Sequence, residues 1–199
     1  MTTQFHVFVV INMIEIAITA DMIKKAQDKA NKVKFDSNKN LNKFGSEKNR
    51  TLTGYLGEQL VLHHLKTATD VDDYEYDLLY NGTKVEVKTI SCKFKPRPDY
   101  LCTVNSCHDV GTHKQSADYY IFTRVLNDLS VGWILGNIKC EDFFKKGKFI
   151  AKGSEAIAGI SFDKANATVL PISELNAMKS NHADWIKDYE MEERRQLSH

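Results

Sequence analysis

The sequence predicts an α/β fold, and three stretches carry that prediction. Two apolar-alternating runs meet at Asn81-Gly82, and this dipeptide between such runs is the strongest short-range signal for a β-hairpin. A helical pattern over Thr51 to Ala68 precedes the hairpin. Ala117 to Leu126 is a continuous β-branched and aromatic run, typical of a buried central strand. No internal repeat or second domain is visible, so residues 1–199 are expected to form a single domain.

Composition narrows the class of protein. A chain of 199 residues can bury a full core, and its 42% hydrophobic and 27% charged residues are ordinary for a globular protein. The net charge of +1 provides no global field to attract nucleic acid, so any such binding depends on local patches. Cys92, Cys102, Cys107 and Cys140 form no CxxC pair and follow no secretion signal, which favours reduced thiols in the cytoplasm.

The N-terminal stretch, Phe5 to Ile18, is apolar but too short to span a membrane, so no membrane association is expected. Alternation from Ile14 to Thr19 predicts a strand, and residues 1–12 are interpreted as a tail or an extension. Asp21 is expected to cap a helix that runs to about Lys34.

The segment from Ser37 to Arg50 is polar and rich in Asn, which predicts a loop. Lys48 and Arg50 directly precede the next helix, where basic side chains and free backbone N–H groups favour phosphates. These two side chains are therefore candidate contacts for a phosphate backbone.

The helix over Thr51 to Ala68 places Glu58 in the middle of its apolar stripe, where an unpaired carboxylate would be costly. The carboxylate needs a partner, either a metal ion or a lysine, unless it reaches solvent at the edge of the stripe. Gly54 and Gly57 lower the stability of a helix, and their lack of a side chain permits close approach to a neighbouring sheet.

A two-residue turn at Asn81-Gly82 fixes the register of the hairpin. Leu78 then faces Val85, and Asp77 faces Glu86 with Cα atoms about 4.5 Å apart. Like charges placed opposite each other destabilise a hairpin, so the pair either lies on a tolerant, solvated surface or holds a cation such as Mg²⁺. Lys88 lies beyond Glu86 on the same face, where it can orient a water molecule or stabilise charge on a phosphate.

The region after the hairpin is basic and then polar. Lys93, Lys95 and Arg97 alternate with prolines, which predicts a loop that either follows a phosphate backbone or is an ordinary solvated turn. The polar segment from Asn105 to Ser116 contains Cys107, His108 and His113, which together with Cys102 are candidate zinc ligands, but their spacing matches no standard zinc pattern. Further elements are predicted in chain order: a strand over Tyr100–Val104, a strand over Val131–Ile138, a helix over Cys140–Lys146, edge strands over Phe149–Ala151 and Ala167–Ile172, a helix from Pro171 to about Lys179, and a charged helical tail over residues 183–199.

The order of these residues resembles a known family. Glu58 on a helix, then Asp77, eight residues, Glu86, one residue and Lys88 is similar to the PD-(D/E)XK nuclease superfamily, over roughly residues 51–126. The familiar proline before the motif aspartate is absent, since Glu75-Tyr76 precedes Asp77. The resemblance implies a mixed central β-sheet flanked by helices, a restriction-endonuclease-like core. It also implies hydrolysis of DNA, as an endonuclease that uses Mg²⁺ or, in its place, Mn²⁺.

Residue roles follow from the same resemblance. It implies that Asp77 and Glu86 bind Mg²⁺ together with the carbonyl of Val87. Lys88 would position the attacking water, and Glu58 would support the metal or its water shell.

The resemblance also bears on partners. DNA is the expected partner, and a homodimer is left open. Likeness to small phage-encoded nucleases implies the cytoplasm of a bacterial host. The main alternative is a catalytically inactive nucleic-acid-binding or assembly module with the same fold. The candidate DNA contacts are Lys48, Arg50, Lys93, Lys95, Arg97, Lys114 and Gln115.

Overall fold

A computed structural model gives the fold of this chain for residues 13–32, 45–71, 76–105, 116–157, 160–162 and 166–179. The strands are β1 (Ile14–Ala17), β2 (Thr69–Asp70), β3 (Leu78–Tyr80), β4 (Thr83–Cys92), β5 (Leu101–Asn105), β6 (Tyr119–Leu126), β7 (Val131–Lys139), β8 (Lys148–Ile150), β9 (Glu155–Ile157), β10 (Ile160–Ser161) and β11 (Ala167–Pro171). The helices are α1 (Ala20–Lys32), α2 (Gly45–His64) and α3 (Cys140–Lys146). The predictions for residues 1–12 and 183–199 fall outside the described residues.

The main sheet has six strands in the order β1-β7-β6-β4-β3-β2. Strands β4 and β6 run parallel, and the other neighbouring pairs run antiparallel. The predicted α/β fold with a mixed sheet flanked by helices is confirmed. A smaller sheet has the order β5-β11-β8, and β9 pairs with β10.

Two apolar clusters cover the two faces of the main sheet. Side chains alternate along β4 and β6, so Val87 and Ile121 lie in the cluster that contains the buried residues of α1 and α2. Phe122 lies in the other cluster, with Phe143 of α3 and residues of β5 and β11. The main sheet is therefore the middle of three layers. None of the helices in the described part of the chain is long and apolar enough to cross a membrane.

The predicted hairpin is confirmed near its turn. Asn81 and Gly82 have φ angles of 48° and 84°, as a type I′ turn requires, and Leu78 pairs with Val85 as predicted. The antiparallel ladder stops at that pair, so the predicted direct opposition of Asp77 and Glu86 is wrong. The N–H of Asp77 instead donates to the carbonyl of Val85 at 3.0 Å, which turns the chain away from the ladder.

Helix α2 packs closely on the main sheet at Gly57. A Cβ atom there would collide with the side chains of Thr89 and Thr123, whereas a Cβ at Gly54 would meet nothing within 4 Å. The close approach expected from the two glycines is therefore confirmed for Gly57 alone.

Several local predictions need correction. Helix α2 runs from Gly45 to His64, so part of the predicted loop is helical and the helix ends four residues before Ala68, its predicted end. Asp21 lies in the first turn of α1, and the capping contact comes from Thr19, whose Oγ1 accepts a hydrogen bond from the N–H of Met22 at 3.2 Å. The helix predicted from Pro171 is only a 3₁₀ turn over Ile172–Glu174, after which Asn176 pairs with Asn137. The remaining predicted strands and α3 are confirmed to within two residues in their bounds. The prediction that the strand beginning at Ala167 is an edge strand is wrong, because β11 lies between β5 and β8 and pairs with both.

Candidate active site

The candidate site lies where β3 ends and, among the described residues, one side of β4 has no ladder partner beyond Val85. We call this place the notch, formed by Asp77, Glu86, Val87 and Lys88. Oδ2 of Asp77 accepts a hydrogen bond from the N–H of Val87 at 2.7 Å. The carboxylate thus bonds the main chain of β4 where the ladder between β3 and β4 has ended.

Glu86 and Lys88 lie on the face of β4 opposite the core side chains of Val85 and Val87. Nζ of Lys88 is 2.6 Å from Oε1 of Glu86. The Glu86 side chain is 9% exposed and that of Lys88 is 26% exposed. The two charges therefore form a short, partly exposed ion pair, which the Glu-x-Lys spacing allows because it places both side chains on one face of the strand.

Glu58 approaches from α2, the residue after the close contact at Gly57. It is buried, as predicted, and its Oε2 lies 2.7 Å from Nζ of Lys29 on α1. The same ammonium lies 2.5 Å from Oδ1 of Asp70 on β2. Of the two partners that the sequence left open for this carboxylate, a metal or a lysine, the described residues supply the lysine.

The pKa values show that the carboxylates influence one another. Burial, and next the negative charge of Asp77, raise the pKa of Glu58 to about 8, although Lys29 opposes the shift. Burial, and next the charge of Glu86, raise the pKa of Asp77 to about 7, against the hydrogen bond from Val87. Asp77 is thus electrostatically coupled to one acid on α2 and to another on β4.

Lys29 stays protonated in this setting. Burial disfavours its charge, but hydrogen bonds to Asp70 and Glu58 outweigh that effect and hold the pKa of Lys29 above its ordinary value of 10.5. Because one ammonium serves two carboxylates, it compensates each of them only in part, which is why the pKa of Glu58 still rises.

The donor set fits a divalent cation. Asp77 lies within electrostatic reach of two sets of charges: Glu58 with Lys29 and Asp70 on the side of helices α1 and α2, and Glu86 with Lys88 on the opposite face of β4. Counting Asp77, these are four carboxylates and two ammonium groups. When all are ionised they leave a formal charge of −2, and carboxylate oxygens are the ligands that Mg²⁺ prefers. Across the described ranges no group of three or more His, Cys, Asp or Glu side chains is already arranged around a metal position. Binding by Glu86 through Oε1 therefore requires Lys88 to move from that oxygen.

The predicted DNA contacts fall into two groups. Lys93, Lys95 and Arg97 are exposed; Lys95 pairs with Glu15 at 2.9 Å and Arg97 with Asp99 at 3.0 Å. Exposed pairs of this kind are weak, so a phosphate can compete with them. The side chains of Lys48 and Arg50, and all of residues 106–115, which include Lys114 and Gln115, lie outside the described part of the chain. Of the candidate zinc ligands, Cys102 is buried in β5, and Cys107, His108 and His113 lie outside the described residues.

Sequence reasoning missed Lys29 and Asp70. Lys29 looked like one of several lysines on a solvated helix face, and the only available signal was a need for a cation beside Glu58. A cleft of about 630 Å³ between α1 and α2 also contains Lys29 and Asp70 in its wall, beside Tyr55, whose ring centre is 5.0 Å from the Lys29 ammonium. Asp77, Glu86 and Lys88 do not line that cleft.

Comparison with known proteins adds no assignment. No protein-family model matches this chain, and no curated protein matches it.

Proposed function

We propose that this chain is a Mg²⁺-dependent deoxyribonuclease of the PD-(D/E)XK type, acting as an endonuclease on DNA phosphodiester bonds. One observation carries the proposal: Asp77 is coupled to Glu58 and Glu86, and Lys88 pairs with Glu86 in the same notch. These are the four residues whose order in the sequence resembles the superfamily motif.

Each group has a role in this proposal. Asp77 and Glu86 would hold the cation with the Val87 carbonyl, and Glu58 would support it from the helix side. Lys88, once its ammonium leaves Glu86, would orient the attacking water. The bound Mg²⁺ would supply Lewis-acid stabilisation of the phosphate and lower the pKa of the water. Burial and neighbouring carboxylates raise the pKa of Asp77 to about 7 and that of Glu58 to about 8, so both groups lose protons, and cleavage should increase, as pH rises through about 7 to 8.

The test is cleavage of supercoiled plasmid, linear DNA and RNA with Mg²⁺ and with EDTA. The proposal predicts nicking or linearisation of plasmid that EDTA abolishes, with RNA left intact. Glu86→Gln and Lys88→Met should each lose at least about a hundred-fold in rate, the scale of general acid–base and electrostatic contributions. Glu174→Gln and Lys24→Met remove the same charges from exposed positions and should cleave normally. Cleavage that persists in EDTA, or in both notch variants, would refute the proposal.

A catalytically inactive nucleic-acid-binding module is the second candidate. The observation that favours it is the ion pair in the notch, where the Lys88 ammonium contacts the Glu86 carboxylate. In addition, the described residues form no group of three or more side chains arranged to bind a metal. It predicts DNA binding without cleavage at any Mg²⁺ or Mn²⁺ concentration. It also predicts that Glu86→Gln leaves the affinity for DNA unchanged.

A further inference from the structure

A second cleft opens on the same face of the main sheet as Glu86 and Lys88. It has a volume of about 400 Å³, and Ile90, Tyr100 and Arg124 are in its wall. Ile90 follows Lys88 by two residues on β4, so it lies about 6.6 Å farther along the same strand face. Arg124 on β6 is the register partner of Ile90. The cleft is therefore the continuation of the notch along the sheet.

Arg124 is a half-buried cation in this wall. Its Nη2 donates to the carbonyl of Leu101 at 3.0 Å, and its guanidinium lies 5.2 Å from the centre of the Tyr100 ring. Its Nε is buried and has no hydrogen-bond partner in the described part of the chain. None of the ion pairs formed by the described residues includes Arg124. A cation taken partly out of water in this way is costly unless an anion accompanies it.

Arg97 adds a second positive charge at the rim of the cleft. Its guanidinium lies 4.9 Å from the centre of the same Tyr100 ring. It is paired with exposed Asp99, which also lines the cleft, so it is a weaker contact for an anion than Arg124. Ile90 is 38% exposed and supplies an apolar surface beside the two cations. Two guanidinium groups around an apolar floor suit a phosphate together with its sugar or base.

We infer that this cleft is a phosphate-binding subsite for a nucleic-acid strand, with Arg124 as the principal contact to a phosphodiester next to the one at Lys88. The identity of the strand as substrate rests on the proposed function. The anion-binding property rests only on Arg124 and its surroundings. Arg124 is a binding residue here and takes no part in the proposed chemistry.

The first test measures binding of a short fluorescein-labelled single-stranded DNA by anisotropy, in EDTA and over a series of salt concentrations. Arg124→Gln keeps a donor for the Leu101 carbonyl and removes the charge. It should weaken binding roughly ten-fold at low salt and reduce the slope of log K against log salt by about 0.7, the value for one phosphate contact on a single strand. Lys24→Gln removes an exposed charge from α1 and should leave the slope unchanged. An unchanged slope in folded Arg124→Gln protein overturns the inference.

A second pair of variants does not depend on the folding of an Arg124 variant. Position 90 is exposed, and Ile90→Glu and Ile90→Gln differ only in charge. A phosphate in the cleft predicts roughly ten-fold weaker binding for the Glu variant than for the Gln variant, a difference that diminishes with salt. Equal affinities of the two variants for the strand overturn the inference. The same comparison is made with a mononucleotide as ligand. If the Glu and Gln variants differ as much in affinity for the mononucleotide as for the strand, the cleft binds a free nucleotide, and the inference is overturned.

Cleavage assays on the same proteins separate this inference from the proposed function. If the native protein cleaves DNA with Mg²⁺ but Arg124→Gln and Ile90→Glu bind like the native protein, the subsite is wrong and the nuclease proposal stands. If the native protein never cleaves, yet both variants weaken strand binding as expected, the subsite stands and the nuclease proposal fails.

Discussion

Replacing Glu58 by Gln is expected to stabilise the protein at alkaline pH in the absence of metal. Glu58 is 4% exposed, and burial together with the charge of Asp77 raises its pKa to about 8. Its ammonium partner, Lys29, is shared with Asp70 and cannot compensate the charge in full. A glutamine has the same shape and can still accept the hydrogen bond from Lys29, but it carries no charge to desolvate.

The sign and size of the effect follow from the two pKa values. The ordinary value for Glu is 4.5, so between 4.5 and about 8 the folded protein binds more protons than the unfolded chain. The free energy of unfolding therefore falls as pH rises through this window. Between about pH 6.5 and about pH 8.5 the ionisation of Glu58 costs roughly 2 kcal/mol. Asp77, with its pKa raised to about 7, acts in the same direction. The lower pH of the comparison is 6.5, the ordinary pKa of His. Because the pKa of His64 is lowered, its titration changes the free energy of unfolding only below that pH.

The assay is urea unfolding in EDTA at both ends of that window, followed by tryptophan fluorescence. We compare the free energy of unfolding of Glu58→Gln with that of the native protein at each pH. The advantage of the variant should grow by roughly 2 kcal/mol from the lower to the higher pH. Exposed Glu174→Gln is the matched control and should show no such change. A difference that is the same at both pH values would refute the argument that Glu58 is a buried, strained carboxylate. Added Mg²⁺ should stabilise the native protein more at the higher pH, because the ligands must lose protons to bind it.

Three further predictions concern stability in the same unfolding assay. Gly57→Ala should destabilise the protein by about 2 kcal/mol, because the added methyl group collides with Thr89. Gly54→Ala is the control: open space surrounds this position, so the change should be neutral or stabilise the protein by up to about 1 kcal/mol. Equal effects of the two substitutions would contradict the close helix–sheet contact at Gly57. Gly82→Ala should cost about 1 kcal/mol, since its φ of 84° strains any residue with a side chain, and no loss would argue against the type I′ turn. Lys29→Met should lower the free energy of unfolding by about 3 kcal/mol at alkaline pH, because it leaves the buried carboxylates without their cation. The loss should be smaller near pH 6.5, where those carboxylates take up protons. A loss that does not depend on pH would show that packing of the lysine side chain matters more than its charge.

Local chemistry allowed the turn of the hairpin and the burial of Glu58 to be predicted from the sequence. Asn-Gly specifies a turn with two positive φ angles, and that turn fixes the pairing of Leu78 with Val85. Glu58 could be expected to be buried because it interrupts an apolar stripe. In each case a rule that acts over a few residues determined the outcome.

Features that depend on tertiary contacts could not be predicted in this way. The ladder ends at Leu78 because the N–H of Asp77 donates to the Val85 carbonyl and the Asp77 side chain accepts a hydrogen bond from the N–H of Val87. A pattern of hydrophobic residues carries no information about such hydrogen bonds. The start of α2 at Gly45 was missed because periodicity reports burial, and a polar first turn carries no such signal. Lys29 meets Glu58 only after α1 and α2 have packed together.

Alternation along β4 gives this strand little tolerance for insertions and deletions. Moving it by one position against β6 would turn Glu86 and Lys88 toward the packed helices and expose Val85 and Val87. An insertion or deletion at the tight turn or within β4 would thus disrupt both the apolar core and the notch. Evolution can vary this stretch by substitution, residue for residue, far more readily than by changing its length.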